Sequence, residues 1–145
     1  MSAAGYSGTP LPKKLGLRGG QRVAFLDAPP EFADALGELP DGVGRVRTSA
    51  RGPLDLVVAF FLERARLERR LPALIGALDP DGALWIAWPK KASRVPTDVT
   101  EDVVRDLGLA AGVVDVKVCA IDQTWSGLKL VIRRADRARL RAAAG

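Results

Sequence analysis

"PLDLVVAFFL", residues 53–62, is apolar at almost every position. A strand with one wet face alternates apolar and polar side chains. A run this continuous predicts a strand covered on both faces, the usual state of a parallel sheet between helix layers. The next residues fit that reading. Leu67, Leu71, Leu74, Ile75 and Leu78 recur at helical spacing, with Glu68, Arg69 and Arg70 off the stripe. Pro72 is expected to kink this helix or restart it. DPDG (79–82) has the composition of a tight turn. ALWIAW (83–88) then predicts a second buried strand.

The same alternation continues outward in both directions. QRVAFLDA (21–28) predicts a strand stopped by Pro29 and Pro30, and EFADALGEL (31–39) a helix. VGRVRT (43–48) reads as a weaker strand near a sheet edge. PTDVTEDVVRDLGLAAG predicts a helix, with Asp98 or Thr100 as its cap and Gly108 or Gly112 as its stop. Val99, Val103, Val104 and Leu107 form its inner face. VVDVKVCAI (113–121) and GLKLVIRR (127–134) predict strands in which Val116 and Val118, and Leu128, Leu130 and Ile132, alternate. The short DQTWS between them suits an antiparallel hairpin. The predicted fold class is therefore α/β: one Rossmann-like three-layer domain over residues 21–134, with a mostly parallel sheet ending in an antiparallel hairpin. Residues 1–20 read as an N-terminal arm and residues 135–145 as a basic tail.

Composition excludes several chemistries. The chain has no histidine, which removes Ser-His-Asp and Cys-His catalysis and the commonest nitrogen metal ligand. A lone cysteine, Cys119, allows neither an internal disulfide nor a cysteine-rich zinc site and is expected as a buried structural thiol. No metal and no cofactor is expected. Neither a secretory signal nor a membrane-length apolar segment is found, so the expected location is cytoplasmic, with no membrane partner. The formal charge is +5, concentrated at the ends. Residues 1–20 hold Lys13, Lys14 and Arg18 without an acid, and residues 133–145 hold five arginines against Asp136. The middle of the chain is slightly acidic. No DNA-binding motif accompanies the charge, so nucleic acid is a disfavoured partner.

The segments DLVVAFF, LDPDGALWIAWP and VKVCAIDQTWSGLKLVIRR, with the helices between them, resemble the second half of a class I methyltransferase. The first half is abbreviated. That resemblance implies a methyltransferase-like sheet and raises S-adenosylmethionine as a cofactor. However, such folds follow the first strand with a glycine-rich loop, and here the first strand runs into LDAPPEF. Prolines fix φ and lack the amide donor, which argues against that cofactor in its usual mode. A second resemblance covers nearly the whole chain through YSGTPLPKKLGL, LERRLPAL, WPKKASRVPTDVTEDVV and KVCAIDQTWSGLKLV. Through these the chain is similar to small uncharacterised proteins of high-GC Gram-positive bacteria.

Ligands of open parallel sheets bind beyond the carboxyl ends of the strands. Those ends would carry Asp27, then Thr48, Ser49 and Arg51, then Glu63 and Arg64, then Trp88 with Lys90 and Lys91, and, from the hairpin, Asp122, Thr124 and Trp125. A cationic rim with indole surfaces would suit an anionic planar ligand. The arm, with Tyr6, Lys13 and Lys14, is expected to pack along this rim and bring its lysines toward Lys90 and Lys91. Three functions are compatible with such a rim: a non-catalytic module for a small anionic ligand or an acidic protein; a divergent methyltransferase using Asp27, Lys90 and Asp122; or a small adaptor. Solvated lysines and core tryptophans would explain the same residues without a ligand.

Overall fold

The computed structural model describes residues 8–48 and 52–144. Six strands form one sheet in the order β2-β1-β3-β4-β6-β5. β1 (Arg22–Leu26), β2 (Gly44–Arg45), β3 (Leu54–Phe60) and β4 (Leu78–Pro89) run parallel. β6 (Trp125–Ile132) lies antiparallel to both β4 and β5 (Val113–Ala120). The α/β fold with a terminal antiparallel hairpin is thus as the sequence predicts.

Side chains of β3 and β4 explain the continuous apolar runs. Leu54, Val57 and Ala59 of β3, with Leu84, Ile86 and Trp88 of β4, join one core. Leu56, Val58 and Phe60, with Trp85 and Ala87, join another on the opposite face. The first core is covered by Leu67, Leu71 and Leu74 of α3 (Arg64–Gly76) and by Val104 of α4 (Glu101–Ala111). The second is covered by Leu11 and Leu15 of α1 (Leu11–Leu15) and by Phe32 and Leu36 of α2 (Pro30–Leu36). A last helix, α5 (Arg134–Ala144), comes after the hairpin and pairs Arg141 with Asp81.

Several local expectations change. α3 runs through Pro72 without restarting; Leu67, Leu71 and Leu74, all buried, hold it on the sheet despite the missing amide donor. DPDG lies inside β4, not between elements. The register with β3 shifts there, and Asp79 Oδ1 accepts from the Asp81 amide at 2.9 Å, so turn chemistry makes a bulge. A Cβ on Gly82 would stand 2.9 Å from the Leu54 carbonyl oxygen, so this bulge needs glycine. Val116 and Val118, on the edge strand β5, are both exposed. The β5–β6 register slips between Asp115 and Lys117, and one extra residue reverses the facing of the rest of the strand. The basic stretch after the hairpin lies largely in α5.

Thr100, not Asp98, caps α4: its side chain accepts from the Val103 amide at 3.2 Å. Asp98 instead accepts from the Arg64 amide at 2.7 Å, at the start of α3. One loop therefore serves the first turns of two helices. Thr100→Ala should lower stability by about 1 kcal/mol, read from urea unfolding.

Candidate ligand groove at the strand ends

The carboxyl end of β4 positions the first candidates. Pro89 ends the ladder, and Lys90 donates its amide to the Thr124 carbonyl at 2.8 Å. The Lys90 ammonium turns back to the Asp122 carbonyl at 2.6 Å, while Lys91 opens a short 3₁₀ turn (Lys91–Ser93) and is exposed. Ser93 Oγ donates to the Lys90 carbonyl at 2.6 Å, which fixes the turn. Between this turn and the start of α4 lies a groove of about 700 Å³. Trp88, Lys90, Lys91, Thr100, Glu101 and Ser126 are among its walls.

The groove is mixed in charge. Asp102 also borders it, but Glu101 and Asp102 are both bonded to Arg105, at 2.6 and 3.2 Å. Arg105 also meets Asp115 at 3.1 Å. The hydrogen bonds that Arg105 donates to Glu101 and Asp115 hold its pKa above the ordinary arginine value. Glu101 and Asp115 are thus committed to Arg105, Asp102 stays largely exposed, and Lys91 is the exposed cation on the opposite wall.

Other rim residues take different places. Asp122 closes the hairpin turn: its Oδ1 accepts from the amides of Thr124 and Trp125 at 2.8 and 2.7 Å. Trp125 and Trp88 are both buried, and they lie in different cores on opposite faces of the sheet. Their register shows why, since Trp125 pairs with Pro89 and Ser126 with Trp88. They cannot form one stacking platform. Trp125 instead packs edge-on against Phe60, with centroids 5.2 Å apart. Arg64 is bonded to Glu68 at 3.0 Å. Tyr6, Ser49 and Arg51 lie outside the described residues.

The arm packs over a sheet face and meets the rim only at the hairpin end, through Lys14. Trp85 Nε1 donates to the Leu15 carbonyl at 2.9 Å, and Leu11, Leu15 and Leu17 are buried. Lys14 reaches the Ala120 carbonyl at 3.3 Å. Lys13 borders a different groove with Glu38 and Asp41. Lys14 and Lys90 therefore both pin the hairpin end through backbone carbonyls, while Lys13 joins neither.

The topological switch point lies between β1 and β3, where doubly wound sheets usually take their ligand. In this chain Asp27, at the end of β1, forms an ion pair with Arg66 from the first turn of α3. The pair crosses that crevice. Asp27 sits at φ 55°, a left-handed conformation that aspartate tolerates. Pro29 and Pro30 come next, so the turn lacks two amide donors, and α2 behind it has 7 residues. Dinucleotide folds also end the second strand with an acid; after β2 this chain has Val46, Arg47 and Thr48. These residues do not fit S-adenosylmethionine in the usual mode.

Cys119 is half-buried rather than fully buried. Burial raises its thiol pKa, and Lys14 and Lys117 partly offset this. No group of three or more metal-ligating side chains occurs among the described residues, and no described helix is long and apolar enough to cross a membrane.

No family model and no curated protein matches this chain. Solved structures do match its fold. Magnesium protoporphyrin IX methyltransferase from Synechocystis PCC 6803, with bound SAH, superposes with a TM-score of 0.54 at 11% identity. That match covers 85% of this chain and 78% of the other. A SAM-dependent methyltransferase from Aquifex aeolicus gives 0.55 at 15% identity, over 83% of this chain and 87% of the other. A putative methyltransferase from Thermoplasma acidophilum gives 0.54 at 10%, over 87% and 75%. The fold is methyltransferase-like.

Proposed function

We propose that this chain is a non-catalytic binding module on a methyltransferase-type sheet, taking a small anionic ligand in the groove beside Trp88 and Lys91. The observation that carries this reading is the displacement of the accessible site. The Asp27–Arg66 pair crosses the usual cofactor crevice, whereas a groove of about 700 Å³ stands open between β4 and α4. Lys91 and the amino end of α4 both favour negative charge there.

A second reading, a divergent S-adenosylmethionine-dependent methyltransferase, is backed more directly by the fold neighbours. The Synechocystis enzyme is known with SAH bound and, in a second structure, with SAM. For this chain it requires a cofactor pose that avoids Pro29 and Pro30.

One thermal-shift experiment separates the two. S-adenosylmethionine at millimolar concentration is expected to leave the melting temperature unchanged. Nucleotides and phosphosugars are expected to raise it, and Lys91→Ala should remove most of that rise. Lys91 is the cleaner probe because Lys90 also supports the hairpin through Asp122. A clear shift with S-adenosylmethionine alone would select the methyltransferase reading. Equal anion shifts in wild type and Lys91→Ala would remove the groove from consideration.

A further inference from the structure

Strand register places two lysines side by side on the face that carries α1. Lys129 of β6 pairs with Trp85 on one side and with Lys117 of β5 on the other. The Lys117 ammonium stands 6.0 Å from the centre of the Trp85 ring, on that same face. Like charges directly opposite on a sheet destabilise it.

Two more cations approach from α1. Lys14 reaches over to the Ala120 carbonyl at 3.3 Å, at the far end of β5. Arg18 lies just after α1 and is exposed, and Lys117 and Arg18 both act on Lys129. Burial comes first among the causes that lower the Lys129 pKa, and these two positive neighbours come after it.

The elements that form this face hold few acids. α1 and β6 contain none, and β5 contains only Asp115. Asp115 faces the other way, to Arg105 of α4. The bulge at Val116 makes this separation. Without the extra residue, Lys117 would share a face with Asp115. Arg18 also borders a groove with Glu38 and Asp41, and the hairpin turn holds Asp122, which accepts from the Thr124 and Trp125 amides.

We propose that the α1-side face of the β5–β6 hairpin is a second anion site, formed by Lys14, Arg18, Lys117 and Lys129, for a small ligand bearing two or more phosphoryl groups. The ammonium groups are compact point charges suited to phosphoryl oxygens. Lys117 and Lys129 stand side by side and Arg18 acts on the same Lys129, a compact grouping that suits a small polyanion. This site does not depend on the groove beside Lys91, because it uses other residues on the other face of the hairpin.

Inorganic tripolyphosphate is the probe, titrated by calorimetry at low salt. Wild type is expected to bind it, and Lys117→Gln and Lys129→Gln should each weaken binding by about tenfold or more. Arg69→Gln on α3 matches the charge change and should leave binding intact. Unliganded Lys129→Gln should melt no lower than wild type, because a like-charge pair is removed; this also shows that the variant folds. Three results would overturn the proposal. One is no tripolyphosphate binding to wild type. Another is binding that survives both lysine substitutions, including binding lost only in Lys91→Ala, which would belong to the other groove. The third is a single-stranded oligonucleotide that displaces tripolyphosphate with affinity rising with its length.

Discussion

Leu15→Ala is expected to destabilise the protein by about 2–5 kcal/mol, the range for deleting a buried leucine side chain from a packed core. Leu15 is 0% exposed although it lies in a five-residue helix near the amino end. Its side chain fills the second core beside Phe60 and Trp85, and its carbonyl accepts the hydrogen bond of the Trp85 indole. The helix cannot sustain itself: five residues are far below the length at which isolated helices persist. Gly16, at φ 88°, and the Leu17 amide close its end and return the chain to the sheet. Packing must therefore hold it. Trp85→Phe tests the polar half of the contact and should cost about 1–3 kcal/mol, because the Leu15 carbonyl loses its buried donor. Chemical denaturation measures both. Costs under about 0.5 kcal/mol, typical of surface substitutions, would mean that this segment is only an appendage.

That segment also marks the limit of what the sequence makes legible. The strands are readable because burial on two faces forces long apolar runs, as in β3 and β4. The hairpin is readable because a five-residue connection leaves little choice but antiparallel pairing. The docking of α1 is not. LPKKL offers barely one helical turn of pattern, and its partners, Trp85 and Phe60, are remote in sequence. Asp98 shows a different limit. Asp98 precedes α4 with good capping chemistry, yet it bonds to the first turn of α3. Residue type announces a cap without naming the helix.

The rim is half legible for a related reason. Chain order correctly puts Lys90, Lys91 and Asp122 at one end of the sheet. Which of them faces a ligand depends on register. Lys90 and Asp122 are spent on the hairpin, and the two tryptophans part to opposite faces. The pairing of Lys117 with Lys129 depends on a single bulged residue that no periodicity reveals. Departure from the glycine-rich turn, in contrast, is plain in LDAPPEF. Its structural counterpart, the Asp27–Arg66 pair, joins residues far apart in sequence and needs the fold.

Trp125 yields the other large effect, with an asymmetry that tests its environment. Trp125→Ala should cost about 3–5 kcal/mol, since it empties a site between Phe60 and the hairpin corner. Trp125→Phe should cost under about 1.5 kcal/mol, close to a tolerated core exchange. Two terms offset each other in that variant. Phenylalanine is smaller and leaves some space, but it keeps an aromatic edge toward Phe60. It also removes a donor, because Trp125 Nε1 is buried with no hydrogen-bond partner among the described residues. Leaving such a group unpaired costs about 1–3 kcal/mol, so its deletion returns part of what the lost volume takes away. Trp85 supplies the contrast, because its indole donor is paired and the same exchange there should be harmful. Unfolding curves for Trp85→Phe and Trp125→Phe, compared in one buffer, decide the matter. If Trp125→Phe costs as much as Trp125→Ala, the ring's full volume, not its unpaired donor, governs this corner. If it costs more than Trp85→Phe, an acceptor meets Nε1 in the folded protein.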